Sequence, residues 1–351
     1  MADQHSLSWS CPLPAEDSER IQLAHGGGGK LTLELIERLF LPVLASPQLE
    51  ARHDGAIVQL GNLQLAFTTD SYVVRPIEFP GGSIGELAVY GTVNDLAMCG
   101  AKPLFLSVGF ILEEGLPLEV LKRVAHAIQR AARQAGVTVV TGDTKVVERG
   151  KGDQVFLNTS GIGVVELETP PAPARVSPGD AVIVSGDLGR HGVAILAARE
   201  GLELEGAIET DAAPLWEPVA ALLRAGIEVH CLRDLTRGGL ASALNEIARA
   251  ARVGIEVDES AIVVSEPVAA VCEMLGLDPL YVANEGRFVA FVPWRDAERA
   301  VAALRQVPVS SGAVLAGRVL ESPAGVVVLR SAYGSRRVLD LLSGEQLPRI
   351  C

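Results

Sequence analysis

Lysine is scarce in this chain: five residues (30, 102, 122, 145 and 151) stand against 25 arginines. With 43 acidic residues the formal charge is −13, so the basic stripe of a nucleic-acid surface is missing. That acidity also helps to keep a dimer soluble. Five cysteines and six histidines contain no Cys-x-x-Cys and no His-x-x-x-His, which excludes the usual zinc spacings. The cysteines (11, 99, 231, 272 and 351) are odd in number and far apart, a usage that fits a reducing, cytoplasmic compartment. Cys99 and Cys272 lie in apolar, helical-looking stretches and read as small core residues. No apolar run approaches the ~20 residues that span a bilayer, so no membrane segment is expected. Residues 1–10 are polar and lack the apolar centre of a signal peptide. No short-period repeat or low-complexity segment occurs.

At 351 residues the chain exceeds one typical core, and two domains are expected. Prolines 170, 171, 173 and 178 mark an extended linker over 168–180. This divides the chain into an N-terminal domain (1–168), a second domain (175–335) and a tail (336–351). In the first half, strands are expected at 63–69, 104–112, 137–140 and 155–165, with helices at 31–40, 84–99 and 117–135. In the second, a strand at 181–184 leads to helices at 191–200 and 213–225. A strand at 227–231, a helix at 239–251 and apolar stretches at 281–292 and 313–329 follow. Many strands alternate apolar with polar residues, which favours mixed or antiparallel sheets over a buried parallel one. The fold class is therefore α+β, with mixed sheets covered by helices and a flexible C-terminal tail.

Several strand-like runs end in an acid: Asp70, Asp143, Asp187 and Asp234. Acids that converge from strand ends gather oxygen ligands for Mg²⁺ beside substrate phosphates. Each is also a common turn or N-cap residue, and Asp187 reads as a turn residue only. Asp95 is different. It is the sole charge in LAVYGTVNDLAMCGA (87–101), a helix apolar on all sides and so buried. A buried carboxylate needs a cation, and no basic residue lies within one helical turn. The run His25-Gly-Gly-Gly-Gly29-Lys30 precedes a helix, where backbone N–H groups can cradle phosphates. It is not a Walker A loop, because Ala24 and Leu31 occupy the required Gly and Ser/Thr positions. Glu285 interrupts an apolar run, either as a general base of raised pKa or as the partner of Arg287 on a strand face. The final residue is Cys351. It is not a prenylation signal, which needs Cys fourth from the end. It is either a frayed terminus or a thiol that swings a bound group between sites. The nine residues after Leu342 reach roughly 30 Å, enough for a site on the same or a neighbouring subunit.

Taken together, these segments resemble the HypE family of hydrogenase maturation proteins. That family is part of a superfamily with aminoimidazole ribonucleotide synthetase and selenophosphate synthetase. The resemblance runs over nearly the whole chain. It is carried by Ser10-Cys-Pro12, Ala24 to Gly29, Thr68 to Val74, Phe79 to Gly82, Gly91 to Met98, Gly100 to Pro103, Thr141 to Lys145, Asp234 to Gly239, Asn284 to Arg287 and Pro348-Arg-Ile-Cys351. The terminal Pro-Arg-x-Cys is its most specific element.

The resemblance implies an ATP-dependent carbamoyl dehydratase. A carbamoyltransferase, HypF, would load a carbamoyl group on Cys351, and dehydration would turn it into a thiocyanate. The HypC–HypD complex would pass the cyano group to the [NiFe]-hydrogenase iron. It further implies Mg²⁺ on Asp70, Asp95, Asp143 and Asp234, and ATP contacts from Gly27, Gly28, Thr69, Asp70, Asn94, Asp95, Thr141, Gly142 and Asp143. Glu285 would act as base, Lys145 as an active-site lysine, and two copies would dimerise through the N-terminal domain. Two other readings stay open: another ATP-dependent kinase or synthetase of the superfamily, and a non-catalytic carrier. A selenophosphate synthetase would need a reactive Cys in the glycine-rich segment, and positions 24–30 hold none. The α-carboxylate of Cys351 opposes thiolate formation, and Arg349 or the partner's site would offset it.

Overall fold

The run 63–72 alternates between its two faces and so forms a half-buried strand, β2 (Leu63–Tyr72), beside β1 (Ala56–Leu60). The computed structural model describes residues 20–202, 208–344, 347 and 350–351. The Ser10-Cys-Pro12 stretch, Pro348 and Arg349 lie outside these. A two-residue pair, β3 (Glu78–Phe79) and β4 (Gly82–Ser83), follows β2. The long strands β5 (Ala101–Glu113), β6 (Thr138–Val147) and β7 (Val155–Val165) complete a five-stranded sheet of order β1-β2-β7-β5-β6. Only β5 and β6 run parallel; the other pairs are antiparallel.

Helical turns α1 (Lys30–Leu35), α2 (Leu41–Leu44) and α3 (Pro47–Glu50) precede this sheet, and a π-helical turn joins α1 to α2, so the expected 31–40 helix continues to Leu44. Helix α4 (Ile84–Met98) explains its own composition. It packs on β2, β5, β7 and α5 (Leu118–Ala135) of the first half and touches strand and helix of the second half, so no face is left for polar residues. Helix α5 is amphipathic. It buries Val124, Ala127, Ile128, Ala131 and Ala132, and ends at Gly136, whose φ of 68° suits a left-handed cap.

The second sheet has seven strands in the order β14-β13-β10-β12-β8-β11-β9. They are β8 (Asp180–Val184), β9 (Cys231–Asp234), β10 (Gly254–Asp258), β11 (Phe288–Pro293), β12 (Val314–Leu320), β13 (Val327–Arg330) and β14 (Arg336–Val338). Both β8 and β11 are buried along their whole length, as their unbroken apolar runs require. Helices α6 (Arg190–Glu200), α7 (Trp216–Arg224), α8 (Gly239–Ala251), α9 (Glu266–Leu275) and α10 (Ala297–Arg305) cover it. The fold is α+β with mixed sheets, as expected.

Three expectations shift. The strand near 227–231 is Cys231–Asp234, which puts the acid inside the strand's end. The 281–292 stretch is a strand only from Phe288, because Asn284-Glu285-Gly286 makes a turn. The tail does not begin at 336: β14 pairs with β13, and Leu339 and Leu341 are buried. Cys99, Cys231 and Cys272 are free and buried.

Candidate active site

Asp95 leaves α4 toward a cleft between the two sheets, where the Thr68 hydroxyl donates to its Oδ2 at 2.7 Å. Burial, then the charges of Asp234, Asp70 and Asp54, push Asp95 well above the usual carboxylate range. Asp234 is pushed up to about 8 by burial and then by Asp54, with Arg233 opposing. Asp54, in the loop before β1, goes the other way. Burial alone would raise it, but Arg233 and the His53 hydrogen bond outweigh that and leave it lowered. One carboxylate oxygen from each of Asp54, Asp95 and Asp234 lies within 4.8 Å of the others. Arg233 meets Asp54 at 3.2 Å and Glu246 at 3.4 Å. One arginine cannot balance three carboxylates that converge in a cleft away from water, and three such carboxylate oxygens fit a hard divalent cation.

Asp70, near the end of β2, faces the same cleft of about 250 Å³. Its Oδ1 accepts from Arg237 Nη2 at 3.0 Å and from the Ser71 N–H at 2.7 Å. Thr69 lines the cleft too, while its hydroxyl donates to the Thr159 carbonyl at 2.9 Å.

Cys351 is docked, not swinging free. The Val73 N–H donates to an oxygen of its α-carboxylate at 3.2 Å, and Cys351 and Ile350 pack into the first-half core. The thiol is pushed up to about 12 by burial; Arg237 opposes this, while Glu285 and Asp70 add to it. The expected counter-charge from Arg349 lies outside the described residues, and Arg237 is the cation that faces the thiol. Its own pKa is raised, first by the charge at Cys351.

Glu285 is 2% exposed, and its Oε1 has no hydrogen-bond partner among the described residues. Burial, then Asp234, Asp70 and Asp211, raise it well above the carboxylate range, against Arg237. It is not half of a pair with Arg287. That guanidinium meets Asp187 at 2.6 Å, so Asp187 is an ion-pair partner as well as a turn residue.

The glycine-rich segment borders the cleft and the pocket beside it. Gly28 lines it, and Gly27 lines an adjoining pocket of about 300 Å³ with Arg237, Ile350 and Cys351. Gly28 has φ 76°, and a Cβ there would stand 2.8 Å from the Arg237 carbonyl, so only glycine fits.

Two groups of the expected site residues stand apart from the cleft within the single chain. Asn94 is buried, its Nδ2 donating to the Ala213 and Glu285 carbonyls at 3.1 Å each and its Oδ1 accepting from the Leu215 N–H at 2.8 Å. It ties the Glu285 main chain to the segment at 213–215. Thr141, Gly142, Asp143 and Lys145 are exposed on β6, where Lys145 pairs with Asp143 at 3.1 Å. Asp70 aligns across the sheet with Thr159, Val108 and then Gly142. Three strand spacings put β6 about 14 Å from Asp70, too far to join its acids.

Asp54 and Arg237 were not singled out by the sequence. Arg-His-Asp-Gly reads as an ordinary polar turn, and only the pairing of Ala56 with Phe67 brings it beside Thr68. Arg237 sits in the Asp234 to Gly239 motif, where its sign, opposite to the nearby acids, was the available signal.

The AIR synthase related protein N-terminal domain matches residues 52–165, and the corresponding C-terminal domain matches residues 177–330. Carbamoyl dehydratase HypE of Rhodobacter capsulatus is 53% identical over 335 residues, covering 95% of this chain and 98% of that protein. The HypE–HypF complex contains a chain with TM-score 0.84 and 42% identity, covering 88% of this chain and 99% of that one. HypE in complex with ATP superposes with TM-score 0.80 at 47% identity, covering 95% and 100%. This chain belongs to the carbamoyl dehydratase HypE family of AIR synthase related proteins.

Proposed function

We propose that this chain is an ATP-dependent carbamoyl dehydratase that converts an S-carbamoyl group on Cys351 into an S-cyano group for hydrogenase maturation. The observation that carries this is the seating of Cys351 among Glu285, Arg237 and Asp70, next to the acid cluster. A carrier would need no such acids around its thiol, and a small-molecule kinase would need no such thiol among its acids.

Removing water from an amide expels oxygen, a poor leaving group. Transfer of the terminal phosphoryl of ATP to the carbamoyl oxygen lets that oxygen depart as phosphate. One N–H proton leaves with the transfer, and the second leaves as the C–O bond breaks and the nitrile forms. The products are the S-cyano group, ADP, phosphate and a proton. Glu285 is the base for the amide N–H: its buried carboxylate stands beside the Cys351 thiol, and burial raises its pKa and so its basicity. Arg237 faces the sulfur and offsets charge that develops beside it. Asp54, Asp95 and Asp234, with Asp70 alongside, would hold Mg²⁺, which when bound neutralises the triphosphate. The glycine-rich segment borders the phosphate end.

HypF is the loading partner in this reading, and HypC–HypD the acceptor of the cyano group. A second copy covers the first sheet. Strand β6 is exposed along nearly its whole length, with Val139, Val140 and Val146 uncovered, and Phe67, Phe105 and Ile162 are exposed on the same sheet. Thr141, Gly142, Asp143 and Lys145 would then act at the interface between the copies.

Intact mass after incubation with the carbamoyltransferase, carbamoyl phosphate and ATP tests the reading. The chain should gain one carbamoyl group and then lose the mass of one water, and Cys351→Ala should show neither step while still binding Mg-ATP. An adduct on Cys231, or no loss of water, would count against it.

A further inference from the structure

The segment between α6 and α7 holds two parts of the site at once. The Thr210 N–H donates to the Pro80 carbonyl at 3.0 Å. Asp211 accepts through Oδ2 from the Gly286 N–H at 3.0 Å and through Oδ1 from the Glu285 N–H at 3.4 Å. Two residues on, the Ala213 carbonyl accepts from Asn94, the side chain that also holds the Glu285 carbonyl. Glu285 is therefore gripped on both sides of its own peptide units by this segment and its brace.

The same segment reaches the tail through His191. This imidazole, in the first turn of α6, is fully buried, with the ring of Phe79 edge-on at 5.8 Å. Its Nε2 lies 2.6 Å from the Ile350 carbonyl and its Nδ1 lies 2.8 Å from Thr210 Oγ1. The Ile350 carbonyl can only accept, so Nε2 carries the proton. Burial lowers the ring's pKa and so favours its neutral form, though Asp211 and the Ile350 hydrogen bond oppose it. Nδ1 is then an acceptor, and the Thr210 hydroxyl donates to it while accepting from the Ala212 N–H at 3.1 Å. Every hydrogen-bonding atom in this relay has one assignment, and the relay ends on the last peptide carbonyl of the chain.

We propose that His191 is the anchor that seats the Ile350–Cys351 peptide, and that Asp211, one residue from the anchor's brace, fixes Glu285 to meet the sulfur. His191 is a positioning residue and touches no reacting atom. The proposal rests on the reading that Cys351 carries the reacting group. Cys351 supplies the thiol; residue 350 supplies the grip.

The test uses the full-length chain in three arms. In the first, alkylation of Cys351 in the unloaded protein is followed by mass of the C-terminal peptide. His191→Leu should alkylate faster by about fivefold or more, the scale of one lost hydrogen bond, while His191→Gln, which keeps an N–H donor, should stay near the unmodified rate. In the second, the loaded His191→Leu protein should accumulate the carbamoyl form in the presence of ATP, and His191→Gln should restore loss of water. In the third, Ile350 and Cys351 are deleted and the ring nitrogens of His191 are read by NMR; the Nε2 signal should move. This arm leaves the buried ring in place and decides the matter if His191→Leu does not fold. Equal alkylation in all forms, or an unmoved Nε2 signal, overturns the anchor. If the unmodified loaded chain itself never loses water, the dehydration reading fails, while the alkylation and NMR arms still decide on His191.

Discussion

Asp54 and Asp95 bring the same group into one cleft under opposite influences: Arg233 outweighs burial and lowers the pKa of the first, whereas burial, then the charges of Asp234, Asp70 and Asp54, raises that of the second. Asp95→Asn should weaken Mg-ATP binding by about tenfold or more, the scale of disturbing a metal's ligand shell. Its melting temperature should not fall, because an uncompensated buried charge is itself costly. Titration calorimetry with the Asn variant reads both the affinity and, through a companion melt, the fold; unchanged affinity would remove Asp95 from the metal set. Glu285→Gln should accept the carbamoyl group and then slow in dehydration by ~10²–10⁴-fold, the usual worth of a positioned base. A variant that dehydrates at the normal rate would hand the role to another group. At this scale the sequence is informative where a charge stands alone. Asp95 was legible because its helix offers no partner, and Glu285 because it interrupts an apolar run. Asp54 and His191 were not, since one sits in an unremarkable turn and the other acts on a carbonyl 159 residues away.

At the scale of elements, the turn 284–286 matters more than the strand it precedes. A Cβ on Gly286 would run into the Asp211 backbone, which cannot yield as a side-chain tip would. Gly286→Ala should cost about 1–3 kcal/mol of stability, as overpacking does, and should displace Glu285. Carbamoyl loading should therefore continue while loss of water stops, an outcome that mass and a thermal melt report together; normal dehydration would show that the turn tolerates the shift. Periodicity located α5 and α8 well, and an apolar run too long for a buried strand located α4. Periodicity merged 281–292 into one stretch, because apolar residues flank Asn284-Glu285-Gly286-Arg287 on both sides, and the turn there is held by the distant Asp211 carboxylate. It also ended the second sheet early: Arg336–Val338 carries little apolar signal, and its place is set by pairing with β13.

At the scale of the whole molecule, an exposed apolar sheet face asks for a cover. The proposed second copy predicts two-copy sedimentation for the unmodified chain and a single copy for Val140→Asp, which places a charge on β6. Two-copy sedimentation of the variant would point to another face. The tail has a consequence of a different kind. It is held at its root, where the Lys30 N–H donates to the Leu342 carbonyl at 2.9 Å, and again at Ile350. The reacting group thus belongs to the same polymer as the site that transforms it. Its local concentration is set by tether length, on the order of mM for a short linker, and dilution does not change it. Dehydration should then be first order in loaded chain at any protein concentration, and a free S-carbamoyl thiol in the medium should compete poorly. Each molecule completes one cycle per visit from its loading partner, so throughput is governed by the frequency of those visits.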